Sequence, residues 1–185
     1  MANLPIIQPD NPILRKRARK VTSFDAKFQT LIDDMLETLE KAPGVGLAAP
    51  QVAVPLRVFI ARLPDDEEGK KEFGEDAGVL YVFANPEFVK TSKEMVEGVE
   101  GCLSIPGWVG TVERHEQVVI RGQDRFGKPI KMKAKGWLAR VFQHEADHLD
   151  GRLYIDIAKE VWQPAEEDEE ETALADQAKA EKQSE

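Results

Sequence analysis

One short segment constrains this 185-residue chain more than any other: Gln143-His144-Glu145-Ala146-Asp147-His148. It specifies a helix and a chemistry together. On a helix, residues four apart lie one above the other on the same face, so His144 and His148 can aim their imidazoles at a single ion. Glu145 sits one step round that face, where it can reach a water without becoming a ligand. The surrounding residues support the helix. Trp137, Val141, His144 and His148 form one stripe, and Leu138, Phe142, Glu145 and Leu149 form the next. The spacing predicts a helix over 136–150 that stops at Gly151, a glycine suited to the C′ position. The histidine pair then lies on the inward side of an amphipathic helix. Three fixed positions in five also recur by chance, and two histidines can be ordinary core or surface residues.

A metal reading therefore needs a third ligand, because catalytic sites of this type use three protein ligands. The remaining histidine, His115, lies in the charged stretch Glu113-Arg114-His115-Glu116 and reads as a surface residue. Cys102, the one cysteine, is the better candidate. It sits in Glu97-Gly98-Val99-Glu100-Gly101-Cys102-Leu103-Ser104-Ile105-Pro106-Gly107, where glycines permit unusual turns and a thiolate is a strong soft ligand. By itself a lone cysteine is equally at home as a small buried hydrophobe.

The rest of the chain reads as α+β, with antiparallel or mixed sheets around the central helix. Residues 25–41 place Phe28, Leu31, Ile32, Met35, Leu36 and Leu39 at helical spacing, which predicts an N-terminal amphipathic helix. A Pro43-Gly44-Val45-Gly46 turn follows. Residues 56–62 read as a strand and 64–78 as a polar surface loop. A second strand stops at Asn85-Pro86. Residues 116–122 and 129–134 form a hairpin through 123–128, and 153–157 reads as a last short strand. No apolar run approaches the roughly 20 residues a membrane span needs, and the N-terminus lacks the pattern of a secretory signal. With no possible internal disulfide, the expected location is cytoplasmic.

Charge is divided unevenly. From Glu160 to Glu185 there are ten acids and two bases, whereas the remainder has 24 acids and 23 bases. The expected organisation is a catalytic unit over 1–163 and an acidic Glu/Ala-rich tail over 164–185, either a solvated helix or disordered. The nearly neutral body offers no specific nucleic-acid surface. The basic run Arg15-Lys16-Arg17-Ala18-Arg19-Lys20 reads as a solvated segment, with a polyanion dock as the competing reading.

Residues 44–51, Gly-Val-Gly-Leu-Ala-Ala-Pro-Gln, lack the Lys-Ser/Thr of a phosphate-binding loop. Together with Glu-Gly-Cys-Leu-Ser at 100–104 and Gln-His-Glu-Ala-Asp-His at 143–148, in this order and at these distances, they resemble the three signature motifs of the peptide deformylases. The resemblance runs from about Ile6 to Ile157.

That resemblance implies a hydrolase that removes the formyl group from N-formylmethionine of newly made proteins, with metal-activated water attacking the formyl carbon. It implies Cys102, His144 and His148 as metal ligands and Glu145 as general acid/base. Gln51 and the Leu103 N–H would form the oxyanion hole. Val45, Gly46 and Gly101 would align the peptide, and Val45, Trp137 and Val141 would wall the methionine pocket. The implied cofactor is one divalent ion, Fe²⁺ in the cell, with Zn²⁺ or Ni²⁺ able to fill the site. A thiolate ligand makes the ion a weaker Lewis acid, which should suit Fe²⁺. The implied partners are formylmethionyl nascent peptides and the ribosome near its exit tunnel, although an acidic tail would be repelled by RNA phosphates. Arg140 is expected to snorkel outward. Trp108 and Val109 depart from the family at the rim. Two other readings stand beside this one: a different H-E-x-x-H metallopeptidase, and a non-catalytic metal-binding module.

Overall fold

The computed structural model describes residues 2–164. Beyond Pro164, the expectations for the acidic tail fall outside the described residues.

Helix α1 (Ala26–Glu40) starts where Asp25 accepts the Phe28 N–H, an N-cap that satisfies one of the free donors of the first turn. Its Phe28, Ile32, Met35 and Leu39 pack on Leu47, Val58, Ile60, Val82 and Ala84. The last four of these positions and their alternates come from two strands, β2 (Val58–Arg62) and β3 (Leu80–Thr91). The alternate residues Phe59, Ala61 and Phe83 point the other way, to a second core built on helix α3 (Gly136–Leu149) through Leu138, Ala139, Val141, Phe142 and Leu149. Strand alternation thus puts α1 on one face of a sheet and α3 on the other.

That sheet has five antiparallel strands in the order β1-β2-β3-β6-β7, with β1 (Gly46–Ala48), β6 (Gln117–Gln123) and β7 (Pro129–Lys135) completing it. A second sheet has the order β4-β5-β8, from β4 (Met95–Cys102), β5 (Ile105–His115) and β8 (Glu160–Trp162). A small core of Ile105, Val112, Leu153 and Tyr154 covers it, with Cys102 packed against that core. Helix α3 contacts strands of both sheets. The expected α+β class with sheets around a central helix is the architecture found.

Three local expectations need correction. The 64–78 segment carries helix α2 (Glu67–Phe73) and a 3₁₀ turn at Gly74–Asp76. Asp66 caps the Gly69 N–H at 2.7 Å, with acids in the first turn and lysines in the last, which suits the helix dipole. Strand β3 does not stop at Asn85-Pro86. Asn85 takes a left-handed φ of 52°, and the register shifts between Ala84 and Glu87 before pairing resumes. Both the carbonyl and the amide of its side chain bind the Val21 backbone, which stabilises that bulge. Residues 153–157 form a 3₁₀ turn at Tyr154–Asp156, because Asp156 Oδ2 accepts the Leu153 N–H; among the described residues the last strand is β8. The glycine-rich 97–107 segment, for which no element was expected, belongs to a long β4–β5 hairpin.

Candidate metal centre

Three elements converge on one point. Helix α3 supplies His144 and His148, whose rings lie 5.1 Å apart at 74°. The end of β4 supplies Cys102. Their ligand atoms all lie within 4.8 Å of one another, and Cys102 Sγ is 3.4 Å from His148 Nε2. A soft thiolate with two imidazoles is a donor set for a divalent transition metal. His115 is elsewhere: it is half-buried at the end of β5, with Nδ1 2.8 Å from the Ser92 carbonyl.

The third element is the 3₁₀ turn Ala49–Val52 that follows β1. It buries Gln51, whose Oε1 accepts the Ala48 N–H at 2.8 Å. That bond orients the amide, so Nε2 faces Cys102 Sγ at 3.5 Å and Ser104 Oγ at 3.2 Å. Glu145 is buried too, and its Oε2 has no hydrogen-bond partner. Burial pushes its carboxyl up to about 7; Glu100 adds to the rise while His144 opposes it. An orphaned acceptor at the ligand cluster fits a group that meets water or substrate there. Gly46 makes room for it: a Cβ at that position would lie 2.3 Å from Glu145 Oε1.

Behind the ligands is a buried ionic cluster. Glu100 Oε2 accepts from His144 Nδ1 at 2.9 Å and from Arg114 Nη2 at 3.0 Å. Its Oε1 accepts from Arg114 Nε at 2.9 Å and Arg140 Nη1 at 2.8 Å. Arg114 also holds Asp147 at 2.6 Å. Burial alone would raise the Glu100 pKa, but the bonds from His144 and Arg114 outweigh it and hold the carboxyl at about 2. Burial also disfavours a charged His144, yet its bonds to Cys102 and Glu100 raise its pKa well above the ordinary value. His148 moves the opposite way, through burial and the neighbouring His144 charge. Tyr154 stacks on the His144 ring with centroids 6.1 Å apart, and its hydroxyl donates to the Trp108 carbonyl.

A cavity of about 870 Å³ opens onto this cluster. Every residue expected from the sequence to bind substrate lines it: Val45, Gly46, Gly101, Trp137 and Val141. So do Gln51, Leu103, Cys102, His144 and Glu145. Trp108 and Val109 form part of the same wall. The expectation for Arg140 is overturned. It is buried rather than snorkelling outward, because Glu100 and two backbone carbonyls meet its guanidinium inside the protein. Glu100, Arg114, Asp147 and Tyr154 were given no role from the sequence. Glu100 and Asp147 lie inside the quoted motifs, which was a usable signal. For Arg114 and Tyr154 the sequence carried none.

The sequence profile of the polypeptide deformylases matches residues 3–163. The chain belongs to the polypeptide deformylase family. A peptide deformylase of Symbiobacterium thermophilum is 47% identical over 178 residues, covering 96% of this chain and 76% of that protein. One from Dehalococcoides mccartyi is 47% identical over 156 residues, covering 84% and 86%. The crystal structure of a peptide deformylase from Legionella pneumophila aligns with a TM-score of 0.75 at 42% identity, covering 85% of this chain and 87% of that one. This deformylase chain is thus an enzyme of the hydrolase class, with a Cys-His-His group built for a metal.

Proposed function

We propose that the chain releases formate from N-formylmethionyl nascent peptides in the cytoplasm, with residues 1–163 as the catalytic unit and the acidic residues 164–185 outside it. The observation that carries this reading is the convergence of Glu145 and Gln51 on the Cys102-His144-His148 cluster within one cavity.

Cys102, His144 and His148 would hold one divalent ion. The thiolate-bearing donor set supports Fe²⁺, with Zn²⁺ or Ni²⁺ able to fill the same ligands. When bound, such an ion supplies Lewis-acid polarisation and lowers the pKa of a water to about 7. Glu145 takes a proton at Oε2 and returns it to the leaving amine; a carboxyl titrating near neutrality is matched to both transfers. Gln51 Nε2, with its amide fixed by the Ala48 N–H, donates to the developing oxyanion, and the Leu103 N–H is its partner donor. Val45, Trp137 and Val141 wall the methionine side chain. Val45, Gly46 and Gly101 present backbone to the extended peptide. The ribosome near its exit tunnel is a partner consistent with such substrates, reached without a basic tail.

Formate release should be measured from a formyl-Met peptide, and peptide-bond cleavage from its unformylated twin. The parent should act on the first alone. Glu145→Gln should keep its metal and lose about 10²–10⁴-fold in kcat. Cleavage of the unformylated peptide, or a fully active Glu145→Gln, would overturn the reading.

A further inference from the structure

The ligands come from two separate elements, His144 and His148 from α3 and Cys102 from the end of β4. Some contact has to fix the distance between them. One helical turn before His144, the Arg140 guanidinium reaches across that gap. Its Nη2 donates to the Val96 carbonyl of β4 at 2.7 Å, and its Nη1 donates to the Val112 carbonyl of β5 at 2.9 Å and to Glu100 of β4 at 2.8 Å. Glu100 stands two residues before Cys102 and binds the His144 ring at Nδ1.

The sequence makes space for this contact. A Cβ at Gly98 would lie 2.8 Å from Arg140 Cζ and 2.9 Å from Nη2, so only glycine leaves room for the guanidinium. With Arg140 present, each Glu100 oxygen receives two donors, a full complement for a buried carboxylate.

We propose that Arg140 is a positioning residue of the metal centre: seated over Gly98, it ties α3 to β4 and so sets where Cys102 stands relative to His144 and His148. In this role its guanidinium acts through Glu100 and the Val96 and Val112 carbonyls, while the residue also borders the cavity. Groups that orient metal ligands from behind typically alter metal affinity by about 10–100-fold when removed. A planar fork with several fixed donors suits the task, which one flexible ammonium could not do.

The inference rests on the proposed ligand set, and the test separates the two. The parent, Arg140→Met, Gly98→Ala and the double variant are loaded with Co²⁺ alone. Absorption spectra and chelator-competition affinities are recorded below the melting temperature of every apo form. The parent should show a thiolate-to-cobalt charge-transfer band that Cys102→Ser removes; absence of that band overturns the ligand set itself. Given the band, Arg140→Met should shift the ligand-field spectrum and weaken Co²⁺ binding about 10–100-fold. Gly98→Ala should change both in the same direction, and the double variant should be no worse than Arg140→Met. A purely structural arginine would lower the apo melting temperature alone. Spectra and affinities within twofold of the parent, or additive losses in the double variant, would overturn the proposal.

Discussion

At the scale of single residues, the carboxylate proposed as the acid/base depends on an absent side chain. Gly46 leaves the space that Glu145 Oε1 fills, at 2.3 Å from where a Cβ would stand. Gly46→Ala should therefore displace the carboxylate and lower kcat about 10²-fold, since small misplacements near the chemistry are costly. Metal content is the control and should not change. Steady-state kinetics beside metal analysis would decide it. From the sequence Gly46 was expected as a turn glycine and Glu145 as a base, but nothing there tied one to the other. Periodicity places residues on faces; it does not report which atoms compete for a volume. The same limit explains Arg140. Its polarity argued for solvent, and only the Glu100, Val96 and Val112 acceptors reverse that argument.

At the scale of elements, α3 was the most legible part because its apolar stripe, its histidine spacing and Gly151 agree on one helix. Its seat is aromatic. Phe142 is fully buried and meets Phe59, Phe83 and Tyr81 with ring centroids 5.3–5.7 Å apart. Phe142→Ala should cost about 3–5 kcal/mol, through lost transfer energy and the cavity left behind. A fall in melting temperature on the order of 10 °C would register it. The β4–β5 hairpin was the least legible element. Its glycines at 98, 101, 107 and 110 all look like turn signals, yet two of them serve close packing inside strands: a Cβ at Gly98 would meet Arg140 Cζ at 2.8 Å, and one at Gly110 the Glu160 carbonyl of β8 at 2.8 Å. Residues 153–157 misled for the opposite reason, since Leu, Tyr and Ile favour strands, but the side chain of Asp156 bends the backbone.

At the scale of the molecule, the N-terminal segment is pinned across the fold by Arg15, 2.5 Å from Asp156. Burial opposes the charged form of Asp156, yet the Leu153 N–H and Arg15 outweigh it and lower the pKa. A carboxyl depressed on folding stabilises above its unfolded pKa, near 3.9, and that stability is lost as pH falls through the lower folded value. Asp156→Asn should therefore melt below the parent at pH 6, with the difference narrowing below about pH 4. Removing residues 165–185 should leave kcat/KM on a short formyl-Met peptide within twofold of the parent. Reconstituting the apo protein with single metals tests the Fe²⁺ preference; equal turnover with Zn²⁺ would refute it.

Asn3 to Ile6 and Pro164 all border the cavity. A group attached at Asn3 or at Pro164 therefore sits at the mouth of that cavity. A bulky adduct there would compete for the cavity, and a fluorophore there would report its occupancy. The 124–128 turn, where Phe126 is 74% exposed and no residue lines the cavity, is the better place for an inert label.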